Sequence, residues 1–198
     1  MPSSARVKFG DAISNANLLC LRGRATLFSR QQRQVQYHAA LAASVAAWEA
    51  YIESVIRAFL KEIADPLDPK FSALRKLLAD RIEGDLKKFN TPNWKNSREL
   101  IYNSTGYDPI NDWNWPQRHL GGPAVRIRLD EILQVRHSFA HGYSMKPYSW
   151  NCDSLGMPRL TAAATGMVSA LFNHLANVTD RGLDRHIKKT YGRLKVWY

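Results

Sequence analysis

The sequence predicts an all-α, up-and-down helical bundle with an irregular insertion ahead of its most informative helix, and three observations carry that expectation. Apolar residues step by four and three through residues 33 to 63, from Leu41, Val45 and Trp48 to Ile52, Val55, Phe59 and Ile63, as they do on one face of a helix. Residues 123 to 141 are punctuated at both ends. Pro123 sits in a first turn, where its missing N–H costs nothing, and Gly142 stands where the chain must leave through the left-handed region. A third apolar line, Met167, Leu171, Leu175 and Val178, runs through residues 160 to 189. With 198 residues the chain is long enough to bury a core and is expected to form one domain.

Taken in order, residues 1 to 30 mix Ser, Asn and Gly with short apolar runs near Ile13 and from Leu18 to Leu21. They read as a loose arm with one short helix, whose Arg22, Arg24 and Arg30 either touch a phosphate backbone or lie solvated on a mobile terminus. The core helix follows from about Arg33 to Ile63. Glu49 sits at the edge of its apolar arc, a carboxylate facing partly inward, and Asp65-Pro66 and Asp68-Pro69 stop it. Residues 70 to 89 form a second amphipathic helix, with Phe71, Leu74, Leu77, Leu78, Ile82 and Leu86 inward. Its polar side carries Arg75, Lys76, Arg81, Lys87 and Lys88, either a solvated face or an RNA contact.

Residues 90 to 123 form the irregular insertion, with a short helical piece near Ser97 to Tyr102. Its Trp94, Trp113 and Trp115 either cap an open side of the core or stack unpaired bases. Residues 144 to 160 read as a loop or hairpin. In the last helix His174 lies close to the apolar line and reads as a satisfied core histidine. Residues 181 to 198 form a basic tail holding Arg181, Arg185, Lys188, Lys189, Arg193 and Lys195, solvated or tethering RNA.

The chain has 28 Lys and Arg against 17 Asp and Glu, a net charge of +11. Such an excess concentrates polyanions around the protein and suits RNA, DNA or acidic lipid without choosing among them. Charge interrupts the apolar runs before the ~18 residues of a membrane span, and the first residues show no signal-peptide core. A cytoplasmic protein without a membrane partner is expected. Cys20 and Cys152 then read as free thiols, since they make neither a metal motif nor a disulfide framework.

The helix over 123 to 141 holds the groups able to do phosphate chemistry. At about 100° per residue, Val125, Leu129, Ile132, Leu133, Val135, Phe139 and Ala140 fill one apolar arc, and Arg136 falls in its middle. A guanidinium there needs a carboxylate, a phosphate or a wet cleft. His137 and His141 lie one turn apart on the flank of the arc. Glu49 is the carboxylate placed to pair with Arg136, either as a buried structural pair or to orient the site.

On these residues the chain resembles a known family. Arg136 followed by His137 and, three positions later, His141, at the end of a late helix, looks like the R-x4-6-H motif of the HEPN superfamily. The continuation through Gly142 to Tyr143 resembles the R-x4-H-x-Y form of HEPN toxins paired with a nucleotidyltransferase-type antitoxin. Trp48-Glu49-Ala50-Tyr51 is similar to the W-E-x-Y stretch of the RiboL-PSP-HEPN branch. The resemblance implies an all-helical domain acting as a metal-independent endoribonuclease, in a toxin or antiphage role, working as a homodimer with the motif at the interface. It also implies that Tyr143 is a residue on which an antitoxin can place AMP. A tyrosine merely packed at a helix end is the alternative.

Cutting RNA without metal needs a base for the 2′-OH, an acid for the leaving 5′-oxygen and a fixed positive charge for the phosphorane oxygens. Imidazole, with an ordinary pKa near ~6.5, suits the first two, and the planar fork of arginine suits the third. Arg136, His141 and His137 are therefore the candidate catalytic residues, with Glu49 and Tyr143 supporting them. Five residues separate Arg136 from His141, about 140° around one helix, so two facing copies present them better than one. Two other readings remain. In one, a non-catalytic HEPN module binds RNA or a partner protein; in the other, His137 and His141 form an i, i+4 metal pair that lacks a suitably spaced third ligand. No metal or cofactor is expected.

Overall fold

The computed structural model describes residues 1–64, 69–193 and 196–197, and in it six helices follow one another: α1 (Ser4–Arg22), α2 (Arg30–Glu62), α3 (Pro69–Leu86), α4 (Trp94–Thr105), α5 (Gly122–Ala140) and α6 (Ala162–Tyr191). Two 3₁₀ turns, Pro109–Asn111 and Pro116–Arg118, lie between α4 and α5, and isolated bridges rather than strands occur among the described residues. This is an all-α helical bundle.

The longest apolar stripe became the longest helix. Ser29 and Gln32 open α2 with a capping box, each side chain accepting from the other's backbone N–H, so two of the orphan donors of the first turn are met. Inside, Trp48 is fully buried and touches three rings at once: Tyr51 at 5.7 Å, Trp113 at 5.8 Å and Phe172 at 5.6 Å between centroids. The Tyr51 hydroxyl, buried with it, donates to the Ala176 carbonyl at 2.8 Å. Ser44 meets Ser169 at 2.9 Å. These contacts advance in the same direction along both helices, so α2 and α6 run parallel, which the long crossover through α3, α4 and α5 makes possible.

One window of α2 is long and apolar enough, by length and composition, to cross a membrane, contrary to the reading of the sequence. The fold accounts for that hydropathy: Leu41, Val45, Trp48, Ile52, Val55 and Phe59 are all buried inside the bundle.

The first residues depart most from expectation. In place of a loose arm, α1 packs antiparallel along α2 and α6, burying Ala5, Phe9, Ile13, Ala16 and Cys20. Ser3 caps it, accepting from the Arg6 N–H, while its own N–H bonds to buried Asp180 at 3.0 Å and its hydroxyl to the other carboxylate oxygen. The contact stripe steps at helical spacing but is built largely of small side chains, so its amphipathic signal is faint beside the Ser and Asn on the other face.

Against expectation, among the described side chains of α3 only Ile82 and Leu86 are buried, while Leu74, Leu77 and Leu78 face solvent; the helix is tied to α2 by the paired bonds of Arg57 to Glu83 at 2.8 and 3.1 Å. The insertion holds a full helix, α4, capped by Asn93 and ended by Gly106 at φ 73°. Its Trp113 and Trp115 are interior, Trp113 donating to Thr179 at 2.9 Å, so these rings cap the core and are not open to bases. The last helix carries the first half of the basic tail, as its expected range to residue 189 implies: Arg181 to Lys189 belong to α6, while beyond it Arg193 donates to the Ala64 carbonyl at 2.9 Å and the backbone N–H of buried Trp197 bonds to Asp184 at 3.0 Å. The Asp65-Pro66 stop and Lys195 lie outside the described residues. His174 is a satisfied histidine as expected, its Nε2 2.6 Å from the Asn114 carbonyl and its ring stacked on Trp115.

Candidate active site

Helix α5 is N-capped at Gly121, has Pro123 in its first turn and buries Val125, Leu129, Ile132, Val135 and Ser138. Past Val135 its cover is otherwise lost. Arg136, His137, Phe139, Ala140 and His141 are exposed, although the helical wheel places Arg136, Phe139 and Ala140 on the core side. The expectation of an inward-facing Arg136 is therefore corrected: the apolar arc continues to the helix end, but among the described residues its last turn is only partly covered and Arg136 is left exposed. Phe139 has one ring partner there, His38 of α2, stacked at 4.1 Å and 7°.

The end of α5 is a Schellman motif. Gly142 adopts φ 69°, its N–H reaches the Phe139 carbonyl at 3.3 Å, and the Tyr143 N–H reaches the Ser138 carbonyl at 2.8 Å. This turn folds Tyr143 back over the helix. The His137 and His141 rings lie 4.2 Å apart, with Tyr143 at 6.2 Å from the first and 5.9 Å from the second.

Beside these rings opens a cleft of about 610 Å³. Arg136, His137, Tyr143 and Lys146 line it, together with Asp130, Gln134, Thr91 and Asn93. The α4 entry forms one wall, and the segment after α5 the other. That second wall is held in place by the Tyr148 hydroxyl donating to Gln134 at 2.6 Å and the Trp150 indole donating to Glu131 at 3.0 Å. His141 stands outside the lining, against His137.

Glu49 is half-buried, and burial raises its carboxyl pKa while the positive charge of Arg136 opposes the rise. No hydrogen bond or close ion pair joins the two among the described residues, so the expected Glu49–Arg136 pair is an electrostatic neighbourhood and not a contact. The Asp130 carboxyl is likewise pushed up by burial, against a hydrogen bond from Trp94. His38 is held down to about 4 by desolvation. Among the described residues no three His, Cys, Asp or Glu side chains gather where a metal could sit.

The sequence profile of the RiboL-PSP-HEPN family matches residues 12–155, more than half of the chain and including both the Trp48 stretch and the end of α5. This chain belongs to the RiboL-PSP-HEPN family. No curated protein and no solved structure matches it. Membership in the HEPN superfamily supports an RNase or RNA-binding role, since the superfamily holds both catalytic and non-catalytic domains. Its Trp48 and Tyr51 are core residues in this fold, while Arg136, His137 and His141 lie exposed at the far end of α5.

The sequence singled out Arg136, His137, His141 and Tyr143, which the fold places together, but gave no sign of the cleft beside them. Asp130 and Gln134 precede His137 and His141 at i, i+4, i+7 and i+11, a polar stripe that the same helical wheel contains. Lys146 and Asn93 gave no signal, because they reach the cleft from separate segments.

Proposed function

We propose that this HEPN protein is a metal-independent endoribonuclease that cleaves RNA by attack of a 2′-OH on the adjacent phosphate, acting as a toxin or antiphage effector. The observation that carries the reading is the uncovered end of α5. There a guanidinium, two imidazoles and a phenol are exposed beside a polar cleft, with Phe139 and Ala140 of the apolar arc left open next to them.

Arg136 holds the phosphate and stabilises the charge that develops on its non-bridging oxygens. His141 moves the proton of the 2′-OH or of the leaving 5′-oxygen. His137, in ring contact with it, serves the other transfer or orients it. A second copy docked about a two-fold axis covers Phe139 and Ala140 and brings a second Arg136 and His141 to the same phosphate, which overcomes the ~140° separation on one helix. The products are a 2′,3′-cyclic phosphate and a 5′-OH.

Tyr143 is 66% exposed, so its hydroxyl is open to a modifying antitoxin of the nucleotidyltransferase type, and an added AMP would place charge and bulk over the cleft. Co-expression with the neighbouring gene and an intact-mass measurement checks this: one AMP increment, lost in Tyr143→Phe, is expected.

The test of the main reading is cleavage of total cellular RNA and tRNA in EDTA by wild-type and His141→Ala protein, with analysis of the fragment ends. Cutting that leaves cyclic phosphate and disappears in the variant supports it. A folded, unmodified dimer that leaves RNA intact favours the other HEPN role, binding RNA or a partner protein without chemistry.

A further inference from the structure

The stripe Asp130, Gln134, His137, His141 leads from the cleft directly to the reactive end of α5. The side chains on it are not equivalent. Gln134 accepts the Tyr148 hydroxyl on its Oε1 at 2.6 Å, which leaves its amide NH₂ to donate into the cleft. Asp130, one turn earlier, is half-buried and lines the same space, where its carboxylate offers only acceptors. The cleft thus presents a donor and then an anionic acceptor, in that order moving away from His137. From His137 back to Asp130 the helix rises about 10 Å at 1.5 Å per residue, the scale of one nucleotide from its phosphate to the far edge of its base.

We propose that this cleft is a nucleobase subsite that takes guanine, with Gln134 donating to O6 and Asp130 accepting from N1–H and the N2 amino group, while the neighbouring phosphate lies at Arg136. The position of the phosphate rests on the nuclease reading above. Guanine follows from complementarity: a carboxylate is best met by two adjacent donors, and among the four bases guanine alone sets two donors beside an acceptor. Adenine and cytosine offer one amino group beside ring or carbonyl acceptors, and uracil one N–H between two carbonyls. The exposed ring of Tyr143 lines the same cleft and supplies a face on which the base can stack.

The test is calorimetric titration of His141→Ala protein, which cannot consume its ligand, with GpG, ApA, CpC and UpU. GpG is expected to bind at least tenfold more tightly than the other three, in keeping with the ~10-fold or greater discrimination of a good bidentate contact. Asp130→Asn, close to isosteric, is expected to bring GpG to the level of UpU while leaving UpU unchanged, and Gln134→Ala to weaken GpG alone. Equal binding of the four dinucleotides, binding of none, or an Asp130→Asn protein that keeps the full GpG preference overturns the assignment. The two readings fail separately. RNA cutting without base-selective binding leaves the nuclease and removes the guanine subsite; GpG-selective binding without cutting does the reverse.

Discussion

The imidazole rings of His137 and His141 stand 4.2 Å apart, inclined at 47°, on the last turn of α5, and the Schellman turn folds Tyr143 against both. Two imidazoles held this close make a pair whose members differ in position, since His137 lines the cleft and His141 stands at its edge. Removing His141 is expected to lower the single-turnover cleavage rate by ~10²–10⁴, the usual worth of a general acid or base. His137→Ala is expected to cost less. A His141→Ala rate within a few-fold of wild type would remove it from the chemistry.

Arg136 is exposed and makes no close ion pair among the described residues, so its substitution should separate function from stability. Arg136→Ala is expected to shift unfolding by no more than about 0.5 kcal/mol, as at other surface positions, while abolishing RNA cleavage. Arg136→Lys keeps the charge but loses the planar fork, and should recover only part of the activity. Urea unfolding and cleavage, measured side by side, check this; a loss of stability as large as the loss of activity would make Arg136 a structural charge instead.

His38 ties stability to pH. Its ring is buried against Phe139, and desolvation lowers its pKa from the ordinary 6.5 to about 4. Between those values the unfolded chain binds a proton that the folded chain refuses, so stability rises with pH across the window. Conversely, stability falls as pH drops from about 6.5 towards 4, by on the order of 2 kcal/mol, and this contribution changes no further below that. His38→Gln should flatten that part of the pH profile of thermal unfolding. An identical slope in the variant assigns the effect elsewhere.

Gly182 marks the tightest approach in α6. A Cβ there would lie 1.9 Å from the Tyr107 hydroxyl and 2.8 Å from the Asp112 carboxylate, which that hydroxyl and Arg185 both contact. Gly182→Ala is therefore expected to destabilise by ~1–3 kcal/mol through overpacking, although alanine is the better helix former. Combined with Tyr107→Ala, the two losses should fall short of additive. Additive losses would mean that the clash is relieved elsewhere.

Much of this fold is legible in the sequence alone. The spacing through α2 and the Pro and Gly marks around α5 are local signals, read from residues a few positions apart, and they marked out the core helix and the helix that brings Arg136, His137 and His141 to its end. What a local signal cannot carry is which face finds a neighbour. The wheel put Arg136 and Phe139 inward, yet the bundle ends before they do. The leucines of α3 were patterned for burial and lie open, while the faint stripe of α1 is sealed by α2 and α6. Burial depends on which helices lie alongside, and that is settled by packing across more than a hundred residues, as in Ser3 on Asp180 and Tyr51 on Ala176. The cleft has the same origin. Asn93, Asp130 and Lys146 come from three separate segments, and only the tertiary fold brings them around one cleft beside Arg136 and His137.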